Sequence, residues 1–340
     1  MTYFLAGDLG GTKTLLALYA ITATGPAPLA GRRFASHDYG NLAAMVEAFL
    51  AGRPETVEAA AFGVAGPVVG DKARLTNLGW TIDRRELQAR FGWREVALMN
   101  DLVAVANAVP DLAPSELVVV NEGRRDPRGA MAVLAPGTGL GEAYLCWDGS
   151  GYRPYPSEGG HTDFAPGSEE EMALLLFLGR EMDHVSYEQV CSGRGIANLF
   201  RFLRDGKGMK VAAAAAAELG RADDLTPVIV AHGLAGRCPV CRKAIELFLD
   251  ILAGEAGNLA VKFLATGGVY LGGGIPPRLL SIFDPGRFMQ RFTGKGRMAS
   301  LLADIPVSLI RGGDTALAGA ARRAAELAGA AFCGEGAASR

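Results

Sequence analysis

Two adjacent polar residues, Asn100 and Asp101, are the first candidates for chemistry in this chain. They follow an apolar run of the buried-strand type, Val96 to Met99, and precede residues 102–109, whose dense apolar side chains predict a buried helix. Both residue types are favoured at a helix N-terminus, where a side-chain oxygen accepts an otherwise unpaired backbone N–H. Carbonyl-bearing side chains at the carboxyl end of a strand also line the ligand crevices of α/β enzymes. The pair alone leaves capping and catalysis both open.

A glycine turn near the start of the chain predicts anion binding. Tyr3 to Leu9 and Lys13 to Tyr19 read as two strands of a hairpin whose tip is Asp8-Leu9-Gly10-Gly11-Thr12. Glycines let backbone N–H groups approach an anion, and Asp8 can hold a hydrated Mg²⁺, an ion that keeps several waters. An ordinary hairpin turn is the alternative. The turn matches neither GxGxxG nor GxxxxGK[ST], which excludes a Rossmann or P-loop assignment.

Two further glycine clusters extend this pattern. Residues 135–141, Ala-Pro-Gly-Thr-Gly-Leu-Gly, lie between the predicted strands 131–134 and 142–147. Two such hairpins, each opening one half of the chain, can grip one polyphosphate from two sides. The third cluster, residues 265–275, encloses a short apolar strand and offers bare backbone to a flat nucleoside.

A second polar constellation, Ser157-Glu-Gly-Gly-His-Thr-Asp163, suits a polyol. Glu158 can accept two hydroxyl hydrogen bonds and His161 can donate or accept, although a lone histidine is more often structural. Glu188 begins a predicted short helix, where stabilisation of the helix dipole is the simpler explanation. Cys238 and Cys241 form a CxxC that we interpret as buried thiols at a helix start, because structural zinc takes four protein ligands.

Composition narrows the class of protein. The chain has 340 residues, 49% hydrophobic and 21% charged, enough for two domains or one divided by a cleft. A net charge of -2 gives no sign of nucleic-acid or membrane-surface binding. No apolar run reaches a membrane span, and Asp8 interrupts any signal peptide. With five scattered cysteines, the sequence predicts a cytoplasmic protein.

Strands and helices alternate, and the pattern restarts after Pro110, which predicts an α/β fold. Helices are predicted at about 42–51, 83–91, 211–217, 241–264 and up to about 327, the last one capped by Asp314. Strands are predicted at 32–36, 59–64, 117–120 and 307–310, and Trp80 is predicted in a loop. The Ala/Gly-rich tail, 329–340, is predicted to be disordered.

With these motifs in order from about Phe4 to Arg322, the chain resembles bacterial glucokinases of the non-repressor type. That family lies within the sugar kinase, actin and heat-shock ATPase superfamily. Six motifs carry the resemblance: GDLGGT (7–12), MND (99–101), GTGLG (137–141), EGGHTDFAP (158–166), HVSYE (184–188) and GGVYLGGG (267–274).

The resemblance implies a two-domain actin-like ATPase (ribonuclease H-like) fold with a cleft between a small and a large domain. The small domain would be 1–110, completed by a C-terminal helix at about 312–328, and the large domain 111–311. It also implies ATP with Mg²⁺, transfer of the γ-phosphoryl to the 6-hydroxyl of glucose, closure that excludes water, and a homodimer.

The site residues follow from the same resemblance. Asp101 matches the catalytic base that accepts the 6-hydroxyl proton, and Asp8 would hold Mg²⁺ through water. The expected sugar ligands are Asn100, Asp101, Glu158, His161 and Glu188. The expected nucleotide-binding residues are Gly7, Asp8, Leu9, Gly10, Gly11, Thr12, Gly137, Thr138, Gly139, Gly272, Gly273 and Gly274.

Three departures from the family pattern stand out: Lys13 replaces a common Asn, Pro136 precedes the second glycine turn, and residues 311–316 differ. A Cys/His zinc cluster, typical of the repressor branch, is absent from the sequence.

Two alternative functions remain open. One is a kinase for mannose, fructose or an amino sugar; the other is a sugar-independent switch ATPase, which would lack the polyol cluster.

Overall fold

A computed structural model describes residues 1–23 and 25–329. The tail that was predicted to be disordered, residues 329–340, lies outside the described residues after Gly329. The strands, in chain order, have the following bounds: β1 Tyr3–Leu9, β2 Lys13–Thr22, β3 Gly25–Ala35, β4 Val57–Val64, β5 Val68–Val69, β6 Lys72–Leu75, β7 Trp80–Asp83, β8 Glu95–Asn100, β9 Leu117–Asn121, β10 Met131–Pro136, β11 Leu140–Trp147, β12 Tyr152–Ser157, β13 Gly268–Leu271 and β14 Val307–Ile310.

The helices alternate with these strands as the sequence predicts for an α/β protein. Their bounds are α1 Leu42–Leu50, α2 Arg84–Phe91, α3 Asp101–Ala108, α4 Glu169–Leu178, α5 Gly193–Arg201, α6 Ala213–Leu219, α7 Leu225–Leu234, α8 Pro239–Phe263, α9 Pro285–Thr293, α10 Ala299–Ala303 and α11 Thr315–Leu327. Within the described residues, no helix is long and apolar enough to cross a membrane.

Backbone contacts divide the chain into two compact units. The first contains, among the described residues, Met1–Ala113, Asp148–Pro156 and residues 312–329. The second contains Pro114–Trp147 and Ser157–Arg311. That these units act as the two domains expected from the sequence stays a prediction.

The sheet of the first unit has the order β3-β2-β1-β4-β8. The β1–β2 and β2–β3 pairs are antiparallel, whereas β4 lies parallel to both β1 and β8. One face buries large side chains such as Leu5, Phe62 and Met45 of α1. The other face packs against the alanines of α11, and a Cβ on Gly319 would lie 1.7 Å from the carbonyl oxygen of Ala104. Small residues therefore let α11 approach α3 closely.

The second unit repeats part of this pattern: β11-β10-β13-β14 has the same antiparallel, parallel, parallel pairings as β2-β1-β4-β8, and β9 adds an antiparallel strand beside β14. Its neighbouring strands run β11-β10-β13-β14-β9, with β10–β11 antiparallel and β13 parallel to both β10 and β14. Most residues of the long helix α8, Phe248 among them, are buried in a hydrophobic core that also contains Phe200 and Phe292. The echo between the two halves is thus one of topology.

Two local predictions are wrong for identifiable reasons. We predicted a strand only at 32–36, yet β3 begins at Gly25; because β3 is an edge strand, Pro26 and Pro28 remove no hydrogen bond that the sheet needs. We placed Trp80 in a loop, but it begins β7 of a small antiparallel sheet, β5-β6-β7, and is only 8% exposed. Trp80 is therefore a packing residue.

Candidate functional site

Three parallel strands of the first unit end in one row. The register pairs Leu9 with Val64 and Val64 with Asn100, so β1, β4 and β8 finish at the same edge of the sheet. The glycine turn after β1 and Asp101 after β8 therefore lie at one edge. This is the position at which α/β sheets bind ligands.

The first glycine turn is held by Ser36, which is fully buried. The Ser36 hydroxyl donates to the carbonyl of Gly10 at 2.8 Å, and its backbone N–H donates to the carbonyl of Thr12 at 3.0 Å. The hydroxyls of Thr14 and Ser36 lie 3.0 Å apart. Across the turn, the N–H of Gly10 donates to the carbonyl of Lys13 at 3.0 Å. The turn is thereby fixed by Ser36, the residue that directly follows β3.

The predicted nucleotide-binding residues Gly7 and Leu9 lie within β1. A Cβ on Gly7 would meet the Phe62 ring at 2.5 Å, so glycine is required there for packing. The Leu9 side chain is buried in the core, which leaves only its backbone for a ligand. Thr12 and Lys13, at the turn itself, are exposed.

Asp8 lies among like charges. Burial, reinforced by the carboxylates of Asp101 and Asp314 and opposed by Lys13, raises the pKa of Asp8 to about 6. This concentration of negative charge favours a cation. No group of three or more His, Cys, Asp or Glu side chains in the described part of the chain could enclose a metal. The arrangement fits Mg²⁺ held mainly by water and phosphate, with one protein carboxylate nearby.

Asn100 and Asp101 both perform the capping role considered from the sequence. Each side chain accepts a hydrogen bond from the backbone N–H of Leu102 at 2.9 Å. The Asn100 amide also lies 3.4 Å from the carbonyl of Gly66, which it faces as a donor. Both residues are half-buried at the start of α3.

Asp314 differs from its prediction as a helix cap. It occupies the N-cap position of α11, but within the described residues its side chain makes no capping hydrogen bond. Burial is the main cause that raises the pKa of Asp8 and of Tyr19, and the negative charge of Asp314 adds to both shifts.

The second glycine turn joins the antiparallel strands β10 and β11 and lies beside the end of β13, which is parallel to β10. Leu134 of β10 pairs with Leu271 of β13, so Gly137 and Gly272 follow neighbouring strand ends. The N–H of Gly272 donates to the carbonyl of Leu134, and Gly273 has a φ of 82°; a Cβ added to Gly273 would lie 2.4 Å from the Pro136 carbonyl oxygen. Pro136 therefore ends β10 and supplies the surface against which the third glycine cluster packs.

A cavity of about 970 Å³ opens beside these turns. The predicted residues Gly137, Thr138 and Gly274 lie on its wall. Apart from Ile275, at the end of the third glycine cluster, the rest of the wall was not found from the sequence, because it consists mainly of helix residues that belong to no recognised motif. It includes Gly193, Arg194, Ala197 and Asn198 of α5, Leu225, Thr226, Pro227, Val230, Ala231 and Leu234 of α7, and Ile275, Arg278 and Leu279.

Glu158, His161 and Glu188 are brought together by two short 3-10 turns. The N–H of Tyr187 donates to the carbonyl of Thr162 at 3.1 Å, which joins the turn Tyr187–Gln189 to the turn Gly159–His161. Glu158 and His161 are exposed, with Oε2 and Nε2 separated by 3.9 Å. The short helix predicted around Glu188 is thus a single 3-10 turn.

Glu188 also reaches the second glycine turn. Its Oε2 accepts a hydrogen bond from the N–H of Leu140 at 3.0 Å, and a Cβ on Gly139 would lie 2.4 Å from the same oxygen. The carboxylate expected to bind sugar is therefore anchored directly beyond the turn expected to bind phosphate.

A buried carboxyl that the sequence analysis missed, Glu142, lies beneath these turns. It is 1% exposed, and neither oxygen has a hydrogen-bond partner among the described residues. Burial, reinforced by Glu255 and opposed by Lys262, raises the pKa of Glu142 from 4.5 to about 8. A Cβ on Gly159 would lie 1.8 Å from Glu142 Oε2. No motif marks Glu142, since only the fold reveals its burial.

The comparisons with known proteins agree on one family. A family model described as Glucokinase matches residues 5–327. The glucokinase of a Nostoc species is 39% identical over 96% of this chain and 100% of the relative. A Synechocystis glucokinase is 38% identical over 95% of this chain and 98% of the relative.

Solved structures show the same architecture. The crystal structure of a glucokinase from an Antarctic psychrotroph aligns with a TM-score of 0.85 at 33% identity, covering 96% of this chain and 99% of that one. A ROK family glucokinase from Streptomyces griseus, in complex with glucose and AMPPNP, has a TM-score of 0.62 at 21% identity, covering 95% and 99%. Together these similarities identify the fold as that of the actin-like sugar kinases.

Proposed function

Because the chain belongs to the glucokinase family, we propose that it transfers the γ-phosphoryl group of ATP to the 6-hydroxyl of D-glucose. The observation that supports this most directly is the hydrogen bond between Glu188 and Leu140. It ties the polyol-type cluster to the strand that leaves the second glycine turn. A switch ATPase without a sugar acceptor has no need of such a link.

In this mechanism Asp101 is the general base. Its carboxylate, at the start of α3, accepts the proton of the 6-hydroxyl as that oxygen attacks the γ-phosphorus. Positioned bases of this kind contribute about 10²–10⁴-fold to a rate. Asn100, which is fixed by its bonds at the head of α3, would orient a neighbouring sugar hydroxyl.

The sugar ring is held by Glu158, His161 and Glu188 in our proposal. The two carboxylates accept hydroxyl hydrogen bonds, and the imidazole donates or accepts one. Glu158 and His161 are exposed, so they are available to a ligand. The packing of Gly159 and Gly160 against β11 fixes the backbone from which they extend.

The phosphates are bound by the two glycine turns, 7–12 and 137–139, and the adenosine by the cavity beside Gly272 to Gly274. When bound, Mg²⁺ would neutralise phosphate charge, with Asp8 as the protein group that faces its waters. The half-buried Asp8 among like charges supports this role.

We also propose that the protein is cytoplasmic and forms a homodimer. Sedimentation of the purified chain tests the homodimer.

The first experiment measures ADP formation from ATP and Mg²⁺ without sugar and with glucose, mannose, fructose or N-acetylglucosamine. Selective stimulation by glucose supports the proposal, and specificity is compared as kcat/KM. A preference for another hexose would replace the substrate and keep the mechanism. Turnover that no sugar stimulates would contradict the proposal.

A further inference from the structure

A second cavity, of about 190 Å³, lies within the second unit, and the proposed phosphoryl transfer does not use it. Two cationic side chains, Arg291 and Lys295, line it together with the carboxylate of Glu171. Asn258 and Gln290 add side-chain amides to the wall. The volume is several times the roughly 30 Å³ that one water molecule occupies in the liquid, so a molecule of several heavy atoms fits. We call this space the basic cavity.

The charges at the basic cavity do not cancel. Arg291 pairs with Glu171, which is only 3% exposed. Lys262 pairs with the buried Glu255, with 3.3 Å between Nζ and Oε1. The ammonium of Lys295 is half-buried and forms no hydrogen bond or ion pair among the described residues. One positive charge is therefore left without a partner in that part of the chain.

This arrangement is unfavourable without a ligand. Burial is the largest cause that lowers the pKa of Lys295; Arg291 and Lys262 add to the shift, and Glu255 and Glu171 oppose it. The Nε of Arg291 is also buried, and it has no hydrogen-bond partner among the described residues. A buried charged donor that lacks an acceptor costs free energy. An acceptor that carries negative charge would stabilise both side chains.

A glycine of α8 also borders this space. Gly254 lines the basic cavity, and a Cβ added to it meets nothing within 4 Å among the described residues. Gly257, three residues later, is required by packing, because its Cβ would lie 2.4 Å from the carbonyl oxygen of Phe292. Glycine destabilises a helix interior relative to alanine, and no described neighbour requires it at position 254. Bare backbone of this kind is expected where a ligand approaches closely.

We propose that the basic cavity binds a small anion, whose carboxylate or phosphate oxygens accept hydrogen bonds from Lys295 and Arg291 and whose body lies against Gly254. The planar guanidinium and the ammonium are the two cationic donors that bind such oxygens in proteins. A cation is disfavoured there, because the carboxylates of Glu171 and Glu255 are already paired.

The basic cavity shares two residues with the supports of the expected sugar ligands. Phe164 and Tyr187 line it, and their rings are nearly perpendicular, with centroids 5.6 Å apart. Tyr187 directly precedes Glu188, and the N–H of Phe164 donates to the carbonyl of Val185 at 2.9 Å. An anion packed against these rings would hold both segments in place, so sugar binding would lose less conformational freedom. Glucose affinity is therefore expected to rise, and this readout rests on the proposed function.

The first test measures binding and needs no activity. The full-length chain is titrated by calorimetry with sodium phosphate and, separately, with sodium malonate, at a constant ionic strength set by sodium chloride. We expect saturable binding of at least one of these anions, and the tighter one identifies phosphate or carboxylate as the preferred group. Absence of saturable binding of both anions below about 10 mM would overturn the proposal.

Two variants locate the bound anion. Lys295→Met keeps the aliphatic stem but removes the charge, and Gly254→Leu fills the cavity without changing a charge. Both should weaken anion binding by about tenfold or more, whereas Lys210→Met, at an exposed lysine, should not change it. Arg291 is left in place, because its loss would leave the buried Glu171 unpaired. Equal affinity in the wild type and Lys295→Met would show that the anion binds elsewhere and would overturn the proposal.

Melting temperatures test whether Lys295 lacks a partner. In buffer without these anions, Lys295→Met should melt at or above the wild-type temperature, because it removes an unpaired half-buried charge. Malonate or phosphate should then raise the melting temperature of the wild type more than that of the variant. If Lys295→Met melts well below the wild type in that buffer, Lys295 already has a stabilising partner and the proposal is wrong.

Reciprocal titrations test the coupling to the sugar. Glucose affinity should rise by about fivefold with saturating anion, and anion affinity should rise by the same factor when glucose is bound. Glucose affinity that stays the same or falls would overturn the coupling. A chain that binds no glucose would contradict the proposed function, and the anion titrations would still decide on the basic cavity.

Discussion

Glu188 and Leu140 are joined by a hydrogen bond of 3.0 Å from the backbone N–H of Leu140 to the carboxylate of Glu188. Leu140 is the first residue of β11, directly after the turn at 137–139. A side chain assigned to the sugar is thus part of the support of a turn assigned to phosphate. Changes on either side of this bond are expected to affect sugar binding.

Two substitutions of Glu188 separate the contribution of its charge from the contribution of its hydrogen bond to the N–H of Leu140. Glu188→Gln keeps an oxygen for the Leu140 N–H and should mainly raise the KM for glucose, by about tenfold, the loss expected for one charged hydrogen bond. Glu188→Ala also leaves that buried N–H unpaired, at a cost of about 1–3 kcal/mol of stability. Steady-state kinetics and thermal melting report the two effects. Unchanged glucose KM in both variants would remove Glu188 from the sugar site.

Substitution of two glycines of the second turn by alanine should weaken the binding of two different substrates. A Cβ on Gly139 would strike Glu188 Oε2 at 2.4 Å, so Gly139→Ala should displace that carboxylate and raise the KM for glucose. A Cβ on Gly137 meets nothing within 4 Å among the described residues and projects where the chain borders the cavity, so Gly137→Ala should raise the KM for ATP. Each variant is the control for the other. Identical changes in both would show that only general turn distortion is measured.

Asp101→Asn should keep sugar binding and lose most turnover. The amide keeps an oxygen for the Leu102 N–H but cannot take the hydroxyl proton, so kcat should fall by about 10²-fold or more. Glucose binding, measured by calorimetry, should change little. Asp205→Asn, at an exposed aspartate paired with Arg204, controls for the substitution itself. Retention of more than about a tenth of kcat would contradict the role of base.

Glu142 should make stability depend on pH. Its pKa is raised from 4.5 in the ordinary case to about 8 in the fold, so the folded chain keeps a proton that the unfolded chain releases. The free energy of unfolding should therefore fall as pH rises through this window, by an amount on the order of a few kcal/mol in total. The stabilising contribution is fully present at low pH and lost above the folded pKa.

Glu142→Gln provides the measurement. The neutral amide cannot ionise, so the melting temperature of this variant should vary less than that of the wild type between pH 4.5 and about 8 and exceed it at the upper end. Glu86→Gln, at an exposed helix position, is the matched control. Parallel melting curves for the wild type and Glu142→Gln would show that Glu142 ionises equally in both states.

Sequence patterns located what lies at strand ends and in turns. Asn100, Asp101 and the glycine turns were predictable because a change from strand to helix, and glycine at a sharp turn, have local physical causes. The burial of the Glu142 carboxyl and the cavity wall formed by α7 were not predictable, because both depend on which segments of the chain fold against each other. β3 was shortened in the prediction because its edge position, which tolerates proline, is a property of the whole sheet.

The hold of Ser36 on the first glycine turn bears on how tightly this chain can bind an anion. A glycine-rich turn has many backbone conformations, and fixing them costs roughly 1–2 kcal/mol per residue. Here β3 and Ser36 fix the turn as the protein folds, so that entropy is lost before any ligand arrives. The ligand then binds to a turn that is already ordered. Glycine contributes to binding there through its small size and not through its flexibility.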